Sequence, residues 1–128
     1  MPAPFRAPTI LIVEDDTPIS ELIQISLKED GYFFRRVTDG NACLSLVRGE
    51  RPDLILMDVM MPGMDGFTTA AMLAGDESAK SIPVIVLTAK KDMRDAFLPS
   101  PNIVDFIEKP FDPVTLRARV KWALGKSS

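Results

Sequence analysis

The chain has 128 residues, 46% hydrophobic and 26% charged, with a formal net charge of −3. This is the size and composition of one globular domain, so global disorder is excluded, and no apolar run reaches the roughly 20 residues a membrane span needs. Histidine is absent and Cys43 is the sole cysteine, which removes Ser–His and Cys–His catalysis, His or Cys-cluster metal sites and an internal disulfide, and leads us to expect a reduced, cytoplasmic setting.

Residues 1–8 read as an N-terminal extension, without the basic and apolar segments of a secretory signal. Thr9–Val13 is wholly apolar after its first residue and rich in β-branched side chains, as expected of a strand covered on both faces. It stops at Glu14-Asp15-Asp16. Thr17-Pro18 then offers an N-cap and a proline at the first helical position, Ile19, Leu22, Ile23 and Leu27 recur at helical spacing, and Gly31 supplies the stop. Tyr32–Val37 predicts a more polar edge strand, and Asn41–Arg48 a short helix with Cys43 on its apolar side.

The rhythm repeats. Leu54–Met57 predicts a buried strand ending in Asp58, Phe67–Leu73 a small helix, and Pro83–Leu87 a third buried strand ending at Thr88. Ile103–Ile107 predicts the last strand, followed by Lys109-Pro110, a candidate cis bond. Asp112-Pro113 caps a final helix, which Gly125 is expected to stop. After Asp112 every charged residue is basic: Arg117, Arg119, Lys121 and Lys126. These cations suit the helix dipole, or form a docking face. The acidic balance of the whole chain weighs against direct nucleic-acid binding.

Strands alternating with helices imply βαβ units and a parallel sheet with helices on both faces. In such sheets ligands bind beyond the carboxyl ends of the strands, which singles out Glu14, Asp15, Asp16, Asp58, Thr88 and Lys109. Like charges about 4 Å apart repel by roughly 4 kcal/mol at an effective dielectric of about 20, so converging carboxylates call for protons or a cation. Oxygen-only ligation favours a hard ion, and few carboxylates with open water positions favour Mg²⁺. Glu14-Asp15-Asp16 alone reads equally well as a solvated acidic turn; Asp58, Thr88 and Lys109 at three further strand ends tip the balance. The acidic turn lacks the Ser/Thr/Gly-rich character of a flavin phosphate loop and the spaced glycines of nucleotide fingerprints. A phosphatase with an Asp-x-Asp motif is disfavoured because Met60 stands where the second carboxylate would be.

Three segments in order, 10–16 (Ile-Leu-Ile-Val-Glu-Asp-Asp), 53–66 (Asp-Leu-Ile-Leu-Met-Asp-Val-Met-Met-Pro-Gly-Met-Asp-Gly) and 105–111 (Asp-Phe-Ile-Glu-Lys-Pro-Phe), resemble the receiver domain of bacterial two-component response regulators. The resemblance runs from about Thr9 to Leu124 and implies an α/β flavodoxin-like (βα)5 fold, a doubly wound five-stranded parallel sheet of order 2-1-3-4-5. A domain over 9–125 and a tail at 126–128 follow. The resemblance implies that Asp58 is the phosphoacceptor, that Glu14, Asp15, Asp58 and the backbone carbonyl of Met60 hold Mg²⁺, and that Lys109 pairs with the phosphoryl group. It further implies that Thr88 and Phe106 form the switch pair, with small Ala89 leaving the approach to Thr88 open, and that Asp16 caps the first helix or makes supporting hydrogen bonds.

The chain departs from the family between Ala89 and Asn102. Pro99 and Pro101 occur there and the customary glycine is missing, so the fourth helix is expected to be shortened or irregular, with Leu98–Asn102 an irregular surface segment. The implied function is acceptance of a phosphoryl group from a histidine kinase or histidine phosphotransfer protein, without enzyme activity beyond its own phosphorylation and dephosphorylation. Output is expected through a downstream protein bound on the face from the fourth strand to the final helix, with the domain a monomer or weak homodimer, binding neither membrane nor nucleic acid. The alternative is a pseudo-receiver that docks partners without phosphorylation.

Overall fold

The computed structural model describes residues 7–59, 66–88 and 100–126. Five parallel strands form one sheet: β1 (Thr9–Val13), β2 (Phe33–Val37), β3 (Leu54–Asp58), β4 (Val84–Thr88) and β5 (Ile103–Glu108), in the order β2-β1-β3-β4-β5. Four helices are described: α1 (Thr17–Leu27), α2 (Gly40–Gly49), α3 (Gly66–Ala74) and the C-terminal α4 (Pro113–Lys126). The expected sheet order and wound α/β architecture are met. The expected irregular helix falls on residues 89–99, which lie outside the described residues.

The central strands are buried on both faces because their side chains alternate between two cores. Leu11, Val13, Ile55, Met57, Val84 and Val86 point to the side covered by α2 and α3, where Cys43 also packs. Ile10, Ile12, Leu54, Leu56, Ile85 and Leu87 point to the side covered by α1 and α4 through Ile23, Leu27, Leu116 and Val120. Each of these large side chains contributes about 1.5–3 kcal/mol by leaving water. Strand β2, at the edge, alternates between exposed and half-buried residues.

Several local expectations are corrected. Asp16, not Thr17, is the N-cap of α1: its carboxylate accepts from the amide of Ile19, and Pro18 falls at the second helical position. A carboxylate reaches the free amides of a first turn as well as a hydroxyl does, and the chain uses the earlier residue. Gly125 does not stop α4, which runs to Lys126. Asn102 is not a surface residue but only 4% exposed; its side-chain amide donates weakly to the Ala70 carbonyl (3.4 Å) and its backbone carbonyl accepts from the Val84 amide (2.9 Å). The basic residues of α4 do not share one face. Arg117 and Lys121, one turn apart, turn toward Asp30 (3.1 and 3.9 Å), whereas Arg119 pairs with Asp105 on β5.

Candidate functional site

The site is built where β1 and β3 end side by side. Val13 pairs with Met57, so the residues that follow, Glu14 and Asp58, emerge together at the carboxyl edge of the sheet. Both are buried, Glu14 completely, while Asp15 is exposed. Carboxylate oxygens of Glu14, Asp15 and Asp58 lie within 4.8 Å of one another. Asp16 is not in this group, its carboxylate being committed to the α1 cap.

Lys109 enters from the far end of the chain. Its amide donates to the Thr88 carbonyl (2.7 Å), and the following Lys109–Pro110 bond is cis, as expected. The ammonium Nζ then sits between two carboxylates, 2.9 Å from Glu14 Oε1 and 3.1 Å from Asp58 Oδ1. Burial works to lower the pKa of this ammonium, but the hydrogen bonds and charges of Glu14 and Asp58 outweigh it and hold the value above the ordinary one. Glu14 is pushed up to about 7, first by burial and then by Asp58, with Lys109 opposing. The cluster thus carries more negative charge than one lysine neutralises.

Thr88 and Phe106 occupy the neighbouring strands. Leu87 pairs with Asp58, which puts Thr88 one step beyond the level of that carboxylate, where it is only 6% exposed. Phe106 pairs with Val86, two residues before Thr88, so Thr88 and Phe106 belong to the same face of the sheet. Phe106 is half-buried against the α2–α3 core. Beyond Asp58, the Gly66 amide donates to the Val59 carbonyl (3.2 Å); a Cβ at residue 66 would lie 3.0 Å from the Val59 Cα, so only glycine lets α3 start this close to the acidic edge. Met60 and Ala89 lie outside the described residues.

One participant is not evident from the sequence. Arg36, on edge strand β2, donates from Nε to the Glu14 carbonyl (3.1 Å), and from one terminal nitrogen to the Asp15 carbonyl and the Thr17 hydroxyl (both 3.2 Å). Its register opposite Ile12 brings it beside the acidic loop, and only the sheet order reveals that.

The donor set fits Mg²⁺. It is all oxygen, it has three carboxylates within reach of one ion, one of them exposed and thus accessible to entering water, and it already draws a cationic ammonium between two of its members.

The family model described as response regulator receiver domain matches residues 10–121. Among curated proteins, the chain is similar to the DNA-binding response regulator MtrA of Mycolicibacterium paratuberculosis, with 39% identity over 92% of this chain and 52% of that protein. The chain therefore spans about half the length of the curated relatives it matches. Among solved structures it resembles a putative response regulator from Chloroflexus aurantiacus (TM-score 0.87, 33% identity, covering 94% of this chain and 99% of that one). It also resembles the receiver domain of a sensor histidine kinase from Pseudomonas aeruginosa that has a magnesium ion in its active site cleft (TM-score 0.84, 29% identity, covering 94% and 99%).

Proposed function

This chain belongs to the response regulator receiver family, and from that premise we propose that it accepts a phosphoryl group on Asp58 from a histidine kinase or histidine phosphotransfer protein and signals by changing its binding surface. The observation that carries the reading is the Lys109 ammonium drawn between buried Glu14 and Asp58 beside exposed Asp15. An Asp58 carboxylate oxygen attacks phosphorus, the donor's P–N bond breaks, and the imidazole leaves. Lys109, already 3.1 Å from Asp58, pairs with a phosphoryl oxygen as a point charge. Glu14, Asp15 and Asp58 would hold Mg²⁺, together with the Met60 carbonyl. When bound, Mg²⁺ supplies positive charge to the phosphoryl oxygens during in-line transfer.

Thr88 then donates its hydroxyl to the new phosphoryl group, and Phe106, on the same face, moves into the space released. Output leaves by the β4–β5–α4 side, where an open hollow of about 360 Å³ is lined by Phe106, Glu108, Pro110, Phe111, Thr115 and Arg119, among others. The domain works in the cytoplasm as a monomer or weak homodimer and catalyses only its own phosphorylation and dephosphorylation. No helix among the described residues is long and apolar enough to cross a membrane. An unphosphorylated docking module has no use for a complete acidic cluster with its lysine, and no observation favours it.

The test is chemical. With Mg²⁺ and a small acyl-phosphate donor the protein gains the mass of one phosphoryl group, and the Asp58→Asn variant gains none. Phosphorylation that persists in that variant, or proceeds equally in excess chelator, would refute the assignment.

A further inference from the structure

We infer that Arg36 is a positioning residue that holds the acidic loop in its metal-ready shape, an inference that rests on the reading of Glu14, Asp15 and Asp58 as a Mg²⁺ site. Between β1 and α1 the backbone hydrogen bonds change hands. The Glu14 amide is used by the sheet, donating to the Val37 carbonyl (3.1 Å), and the Asp16 carbonyl is used by the helix, accepting from Ser20 (3.0 Å). Between them stand the carbonyls of Glu14 and Asp15, past the end of the ladder and before the first helical bond. Glu14 is buried and its carbonyl needs a donor, whereas the Asp15 carbonyl lies on the exposed side of the loop. Arg36 donates to both from one planar fork, and spends a third hydrogen bond on the Thr17 hydroxyl in the first turn of α1.

The choice of partners is informative. Arg36 is half-buried and hydrogen-bonded to the backbone of the loop that carries Glu14, Asp15 and Asp16, yet no ion pair joins it to any of them among the described residues. Its donors go to neutral carbonyls, so the three carboxylates stay available to a cation and to the helix cap. A guanidinium this close also carries a charge that disfavours a divalent ion. The two effects have opposite signs, and the geometry says which wins: the carbonyls belong to the same residues whose carboxylates form the cluster, so releasing them frees the backbone that aims Glu14 and Asp15. Partners that orient metal ligands are typically worth 10- to 100-fold in metal affinity. A lysine keeps the charge but not the fork, since it is a single point donor.

The experiment compares wild type, Arg36→Gln and Arg36→Lys by titration calorimetry with Mg²⁺ alone and by amide hydrogen exchange of the metal-free proteins. The expected result is Mg²⁺ binding weakened about tenfold in Arg36→Gln and by at least as much in Arg36→Lys, which loses the fork but keeps the opposing charge. Exchange in the metal-free variants should speed up at residues 15–17 while the β3 and β4 amides keep their protection. At saturating Mg²⁺ the rate of Asp58 phosphorylation should return to the wild-type value. Mg²⁺ binding that is unchanged or tightened in Arg36→Gln would overturn the inference, because charge would then outweigh positioning. Exchange that speeds up uniformly across the sheet would overturn it too, by reducing Arg36 to general stability. Wild type that binds no Mg²⁺ would refute the reading of the metal site itself, whereas equal binding by wild type and variants refutes the Arg36 role alone.

Discussion

Glu14→Gln isolates the electrostatic frustration of the site. In the folded, metal-free protein the Glu14 carboxyl is displaced from 4.5 to about 7, and at about 1.4 kcal/mol for each pH unit this amounts to about 3 kcal/mol between protonated and ionised forms. Because the folded value lies above the unfolded one, the folded protein binds the proton more tightly. The stability Glu14 contributes is therefore complete below about pH 4.5 and is lost as pH rises through about 7. Glutamine is neutral throughout and lacks this dependence. Constant differences between the side chains cancel when the two proteins are compared at two pH values. Urea unfolding in chelator should show the variant gaining up to about 3 kcal/mol on wild type between pH 5 and pH 8. Millimolar Mg²⁺ at pH 8 should restore wild type far more than the variant, since the ion binds the ionised folded state. A stability difference that stays flat across this pH interval, or moves in favour of wild type, would refute the account of the cluster as a site short of positive charge.

Two further outcomes separate neighbouring residues. Asp15→Ala should weaken Mg²⁺ binding about tenfold, or about 1.4 kcal/mol, at little cost in stability, whereas Asp16→Ala should cost about 1 kcal/mol through the lost helix cap and leave Mg²⁺ binding nearly intact; calorimetry and urea unfolding read the two, and equal losses of Mg²⁺ binding would refute the assignment of Asp15 rather than Asp16 as a metal ligand. Thr88→Ala should still be phosphorylated on Asp58 but no longer transmit the change to Phe106, as read by fluorine NMR of fluorophenylalanine-labelled protein; an undiminished response at Phe106 would remove Thr88 from the switch.

What the sequence discloses and what it withholds divide along physical lines. Strands β1, β3 and β4 are legible because burial on both faces leaves almost no polar residue in them, and their carboxyl ends are marked by the first charged or hydroxyl side chains after the apolar run. Glu14, Asp58, Thr88 and Lys109 are found by that rule together with the family resemblance. Arg36 is not, because an Arg-Arg pair in an edge strand looks like solvated surface until the sheet order sets β2 beside β1. The two sides of α4 are hidden for a related reason: basic residues at 117, 119 and 121 look like one patch in the chain, but a helix turns 119 away from the other two, and the acids that receive them come from distant segments. Asn102 misleads because proline neighbours signal surface, whereas the turn closed by the Ile103 amide on the Ser100 carbonyl brings its side chain to Ala70 of α3.

The bridge made by Lys109 spans 95 residues to Glu14 and 51 to Asp58. A chain emerging from the ribosome N-terminus first therefore presents its acidic residues long before the cation that draws two of them together exists. Under the proposed function, competence to receive a phosphoryl group would for that reason belong to the finished polypeptide: a chain ending before β5 would carry Asp58 and Glu14 without the ammonium that bridges them.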